Sequence, residues 1–180
     1  MIDLEALARN FHDPLKAYCG IPQIIGADQD IPECQIIYPR LAWKITSHYI
    51  PEAAHPVFCH KAVSGTINPE DFPKDVQVTA IMNPEAVFSF TFYGKPGKSN
   101  NSVIVQKARE WFAVKFLGPE FLSRFDVVVV DVTEIQNRST LLEFDREDRR
   151  GFDVRFRFNE KVSMVLASVE EIHDQGTVYE

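Results

Sequence analysis

Four side chains with metal-binding chemistry fall close together: His48, His55, Cys59 and His60, with Cys34 upstream. Imidazole and thiolate suit zinc, but this spacing matches no paired Cys/His knuckle, and His55 precedes Pro56 in a proline-bearing stretch. These are expected to be scattered loop residues. Cys59 with His48 or His173 would give a thiol and a base, yet such pairs are spatial and have no general signature; a small structural thiol is the expected reading. Gly94-Lys-Pro-Gly-Lys-Ser99 has the composition of a phosphate loop without its spacing, and Pro96 lacks an amide that would face a phosphate. No catalytic, cofactor-binding or metal-binding residue is expected, and the chain does not read as an enzyme.

The remaining chemistry is ionic. The run Glu143 to Arg150, with Asp145, Arg146, Arg149 and Arg150, carries both signs nearly in balance and precedes a strand bearing Arg155 and Arg157. Such a run is usually a solvated face. The planar fork of Arg also pairs well with carboxylates, so these residues are candidates for contact with another copy of the chain.

The elements that must position them follow from periodicity. Ile2 to Lys16 reads as an amphipathic helix interrupted at Pro14 and stopped by Gly20 and Pro22. Ile21–Ala27 and Leu41–Tyr49 read as strands. Residues 48–74, with Pro51, Pro56, Pro69 and Pro73, read as a long hairpin or arm. Val76, Val78, Ala80 and Met82 alternate, as do Phe88, Phe90 and Phe92, and the Asn83-Pro84 link predicts that these strands are antiparallel neighbours. A strong helix is predicted over Val103–Leu117, stopped at Gly118-Pro119. Val127 to Val130 predict a strand covered on both faces. Phe152, Val154, Phe156 and Phe158 give the most regular strand pattern, and Val162–Val169 either continues it or forms one more. The order implies an α+β fold: one mostly antiparallel sheet, two main helices on one face, and the arm.

Composition bounds the rest. The 180 residues suit a single domain, 1–180, with 48–74 as an insertion within it, and 14 Phe imply an aromatic-rich core. The net charge is −7; residues 1–90 hold 6 basic and 11 acidic side chains, and residues 91–180 hold 13 and 15. Neither half has the basic surplus that phosphate-backbone binding exploits. No apolar run approaches the roughly 20 residues of a membrane span, and the start Met-Ile-Asp-Leu-Glu does not resemble a secretion signal. Cys19, Cys34 and Cys59, odd in number and widely spaced, are expected to be reduced thiols in an intracellular product.

The run Asp126-Val-Val-Val-Val-Asp-Val-Thr-Glu-Ile-Gln-Asn-Arg-Ser-Thr-Leu-Leu142, then Arg149-Arg-Gly-Phe-Asp-Val-Arg-Phe-Arg157, resembles the phage neck and tail-terminator proteins. Tyr38 to Thr46, the Phe90–Phe92 strand and Ala108 to Phe112 agree, so the likeness covers about residues 15–160. The resemblance implies a structural virion protein of a long-tailed phage or tail-derived particle, assembled in the host cytoplasm. It implies a ring, usually of six copies, that caps the head-proximal end of the tail tube, halts its polymerisation and meets the head connector. Sheath is a further candidate partner, genome DNA passes through the lumen without specific binding, and neither cofactor nor membrane is involved. On this basis Asn137, Arg138, Arg149 and Arg150 are expected at the subunit boundary, with Asp145, Arg146 and Arg155 beside them. The nearest alternative is a head-completion or connector-adaptor protein; others are a small thiol or metal enzyme and an adaptor binding one partner through the 48–74 arm.

Overall fold

A computed structural model describes residues 3–29, 31–48, 56–64, 74–94, 101–139 and 148–167. The chain divides into two compact units: residues 1–54 with 83–159, and residues 55–82 with 160–180.

The first unit begins with α1 (Leu4–Cys19), capped by Asp3, whose Oδ1 accepts from the Ala6 amide at 2.9 Å. It runs through Pro14 and three residues past the expected end, because Phe11, Leu15 and Cys19 are buried on its inner face. Tertiary burial of that face outweighs the backbone bond lost at proline. Gly20, at φ 67°, ends it by returning its amide to the Lys16 carbonyl.

The sheet of this unit comprises β1 (Gln23–Gly26), β2 (Arg40–Ser47), β5 (Glu85–Gly94), β6 (Val127–Val132), β7 (Gln136–Asn137) and β8 (Asp148–Phe158). Its order is β1-β2-β5-β8-β6, with β7 also paired to β8; only β1 and β2 are parallel. Helix α2 (Asn101–Ala113) and the short α3 (Gly118–Ser123) join α1 in covering the sheet. Gly118-Pro119, expected to stop α2, instead opens α3, with proline at a position where its missing amide costs nothing.

The core is a phenylalanine stack. Phe11, Phe88, Phe90, Phe92, Phe112, Phe152, Phe156 and Phe158 are fully buried. Phe90 stacks on Phe152 at 5.4 Å and tilts against Phe112 at 4.8 Å, while Phe88 meets Phe156 edge-on at 5.2 Å. These separations lie in the favourable range for aromatic pairs. The fold is therefore α+β and mostly antiparallel, as the periodicity implied.

The second unit holds a three-stranded antiparallel sheet, β3 (Val57–Ser64), β4 (Lys74–Met82) and β9 (Glu160–Ala167), in the order β3-β4-β9. Within the expected arm, Val57–Ser64 forms strand β3, and the tail forms a separate strand; residues 49–55 and 65–73 lie outside the described residues.

Two expectations are corrected. β4 and β5 are not partners: β4 pairs with β3 and β9, whereas β5 pairs with β2 and β8. A two-residue hairpin needs positive φ at both central positions or Gly at the first; Pro84, fixed near −65°, excludes the former, and Asn83 is not the glycine the latter requires. The link instead hands the chain from one sheet to the other. The valine run is not covered on both faces either. β6 closes the sheet at one edge, burying Val127 while Val128 and Val130 stay 57% and 38% exposed.

Candidate interaction surface

Strand alternation sends the Phe side chains of β5 and β8 to the helices, and everything between them to the opposite face. In register across β2, β5 and β8 that face reads Arg40–Tyr93–Arg149, Ala42–Thr91–Gly151 and Lys44–Ser89–Asp153, then Glu85 opposite Arg157. Counting Arg138, Arg155, Asp131 and Asp28, whose carboxylate lies 3.4 Å from Lys44 Nζ, the described residues of that face carry six cationic side chains (Arg40, Lys44, Arg138, Arg149, Arg155, Arg157) against four carboxylates (Asp28, Glu85, Asp131, Asp153). The surplus is positive in a chain whose net charge is −7.

The face is ordered by its own bonds. Arg138, just after β7, lies flat across the sheet: Nη1 donates to Ser89 Oγ at 2.6 Å and Thr91 Oγ1 at 3.2 Å, and Nη2 donates to Asp153 Oδ1 at 2.9 Å. Gly151 makes room for it, since a Cβ there would stand 2.6 Å from Nη1 and 2.6 Å from the Phe90 carbonyl. The segment carrying Arg138 is laced to β8. The Arg138 amide donates to the Arg149 carbonyl at 2.8 Å, and the Arg149 amide donates to Ser139 Oγ at 3.1 Å. Tyr93 stands between two guanidinium groups, with Arg40 at 4.6 Å and Arg149 at 5.1 Å from its ring centre. Glu85, with its side chain only 4% exposed, accepts from Arg157 Nη2 at 2.6 Å and Nε at 2.9 Å, with Arg155 3.9 Å away. The remaining surfaces of Arg155 and Arg157 are open to solvent, at 46% and 48% side-chain exposure.

The expected interface residues therefore separate. Arg138, Arg149 and Arg155 share the open face. Arg150, one position from Arg149, takes the opposite side of the strand, in register with Phe92, and its Nε donates to Asp148 Oδ1 at 3.3 Å. Asp148 in turn accepts from Asn101 at the start of α2 at 3.0 Å. Asn137 is exposed and its Oδ1 accepts the Ser139 amide at 3.0 Å. Asp145 and Arg146 lie outside the described residues. Sequence reasoning missed Glu85, Tyr93 and Arg40. The polar positions of β5 were legible as alternation, but the registers opposite β8 and β2 that bring the arginines to them were not.

Among the described residues, those first considered for metal or thiol chemistry form no cluster. Among the described residues no group of three or more His, Cys, Asp and Glu could hold a metal ion. Cys59 and His60 are consecutive in β3 and point to opposite faces. Burial pushes the Cys19 thiol up to about 12, away from thiolate chemistry, while Cys34 and Cys59 are exposed. His55 and His173 lie outside the described residues. Among the described residues no helix is long and apolar enough to cross a membrane.

The surface that emerges among the described residues is a preordered, cation-rich sheet face. No curated protein matches the chain. A family model for the phage neck terminator protein matches residues 3–180, nearly the whole length, and the chain belongs to that family.

Proposed function

We propose that the protein closes into a ring, usually of six copies, at the head-proximal end of a phage tail tube, where it stops tube growth and joins the tube to the head connector. A neck protein of this kind is a structural component of the virion and interacts with other head and tail proteins. In this role the protein acts without catalysis, assembles in the host cytoplasm, and contacts tube protein, connector and sheath. The observation that carries the reading is the cationic sheet face on an acidic chain. In a head-to-tail ring each subunit offers two different patches, and opposite net charges on them orient and favour the encounter. With the cations spent at subunit boundaries, the acidic remainder would line the lumen and keep genome DNA sliding. A basic lumen in the assembled ring would refute that last point.

Deletion of the gene followed by electron microscopy tests the role: overlong tubes, or tails that fail to join heads, are expected, and normal virions would reject it. The boundary is tested by Arg149→Glu and Arg155→Glu. Both should weaken ring assembly with the far-ultraviolet circular dichroism of the subunit unchanged, and rings that form as before would remove this face from the boundary.

A further inference from the structure

The positive surplus of the open sheet face is not spread evenly. Asp28 stands 3.4 Å from Lys44, Asp153 stands 2.9 Å from Arg138, and Glu85 lies beside both Arg155 and Arg157. The row Arg40–Tyr93–Arg149 contains no carboxylate. Its two guanidinium groups lie against the Tyr93 ring, and Arg40 also lies over Tyr38 at 5.2 Å. Stacking of this kind fixes the plane of a guanidinium and leaves its N–H edge to meet a carboxylate.

The complementary charge is in the same sequence. Residues 168–180, which follow β9 and lie outside the described residues, carry Glu170, Glu171, Asp174 and Glu180 with no lysine or arginine. They hold −4 of the net −7, and no other stretch of equal length is more negative than −3. At about 3.3 Å per residue the segment can extend about 40 Å, several times the roughly 10 Å from β2 to β8 across two strand spacings. It has the reach to cover the row on another subunit. A face on which most cations already have carboxylates beside them is poorly suited to a phosphate backbone, and well suited to a short acidic segment.

We infer that residues 168–180 of one copy dock on the Arg40–Tyr93–Arg149 row of the next, where the two arginines receive their carboxylates. The row belongs to the first unit and the segment to the second, so each subunit gives one patch and receives on another, as a head-to-tail contact requires. The inference rests on the ring reading above and names the contact that would build it.

The test separates the two halves of the contact. One full-length chain keeps the row and carries Glu170→Gln, Glu171→Gln, Asp174→Asn and Glu180→Gln. A second keeps the segment and carries Arg149→Glu, with Arg149→Gln as the milder companion should circular dichroism show a disturbed strand. In sedimentation each alone should associate about tenfold or more weakly than the unaltered chain, the scale of one charge-assisted hydrogen bond. Mixed, they should form one-to-one pairs that grow no further, because one working segment and one working row remain between them. Raising salt from about 0.05 M to about 0.5 M should dissociate the pairs. Rings from the unaltered chain, with no pairs in the mixture, would overturn the docking and leave the ring. Pairs without any annulus, free or on purified tail tubes, would support the docking and overturn the ring; neither pairs nor annulus would overturn both. A labelled peptide of residues 168–180 that binds the first chain while the mixture stays unpaired would overturn the next copy as donor of the segment. Duplex DNA that binds the first chain more tightly than this peptide at equal salt would overturn the acidic segment as occupant.

Discussion

The two faces of the six-stranded sheet are built from alternate residues of the same strands, yet they are held by different physics. Toward the helices, Phe88, Phe90, Phe152 and Phe156 are fully buried against Phe11 and Phe112. Away from them, Ser89, Thr91 and Asp153 receive Arg138, and Glu85 receives Arg157. The first face gains by removing apolar surface from water, an effect without direction. The second gains only where donors and acceptors meet in geometry, and much of that gain is returned by competing water. Stability should therefore reside on the helix side. The open face supplies a fixed pattern of charge, which is what a recognition surface needs.

That difference can be broken most severely from the core. Phe90→Ala removes the ring that touches Phe11, Phe112 and Phe152, and should cost about 3–5 kcal/mol in denaturant unfolding, enough to threaten the fold. A loss below about 1 kcal/mol would mean that the aromatic stack is not what holds this unit. On the opposite face, Glu85→Ala deletes a carboxylate that accepts two bonds from Arg157, whose side chain remains 48% exposed and can turn to water. The expected loss is smaller, about 1–2 kcal/mol, with cooperative unfolding retained. A cost equal to that of Phe90→Ala would erase the distinction between the faces.

The same distinction decided what could be read from the sequence. The apolar face was legible because period-two alternation in Phe88 to Phe92 and Phe152 to Phe158 depends only on neighbours along the chain. The open face depends on register between strands some 60 residues apart, and alternation is silent about which polar residue lies opposite which. Arg149 and Arg150 illustrate the limit: they look equivalent as a pair of charges, but the strand sends them to opposite faces. The valine run of β6 misled for a related reason. Four consecutive valines signal burial on both sides only when strands flank both edges and layers cover both faces. The Asn83-Pro84 link carries the signal against pairing β4 with β5, since Pro84 excludes the type I′ turn and Asn83 is not the glycine of type II′.

The helix side contains one polar bond that sharpens the comparison. Trp43 Nε1 donates to His12 Nε2 at 2.8 Å, linking β2 to α1 where Trp43 is buried and His12 half-buried. Only a ring unprotonated at Nε2 can accept that bond. Burial pushes the His12 pKa below its ordinary 6.5; Asp13 opposes the shift and Arg9 adds to it. The unfolded chain therefore binds more protons than the folded one once pH falls below about 6.5, and the stability contributed by neutral His12 declines there, levelling off below the folded value. Above 6.5 it is fully present. Unfolding free energy measured between pH 8 and pH 5 should fall through this window, and His12→Gln, which keeps an acceptor without a titration, should flatten that part of the profile. An unchanged slope in His12→Gln would mean that the bond between α1 and β2 is indifferent to protons and that His12 does not set the acid sensitivity of the fold.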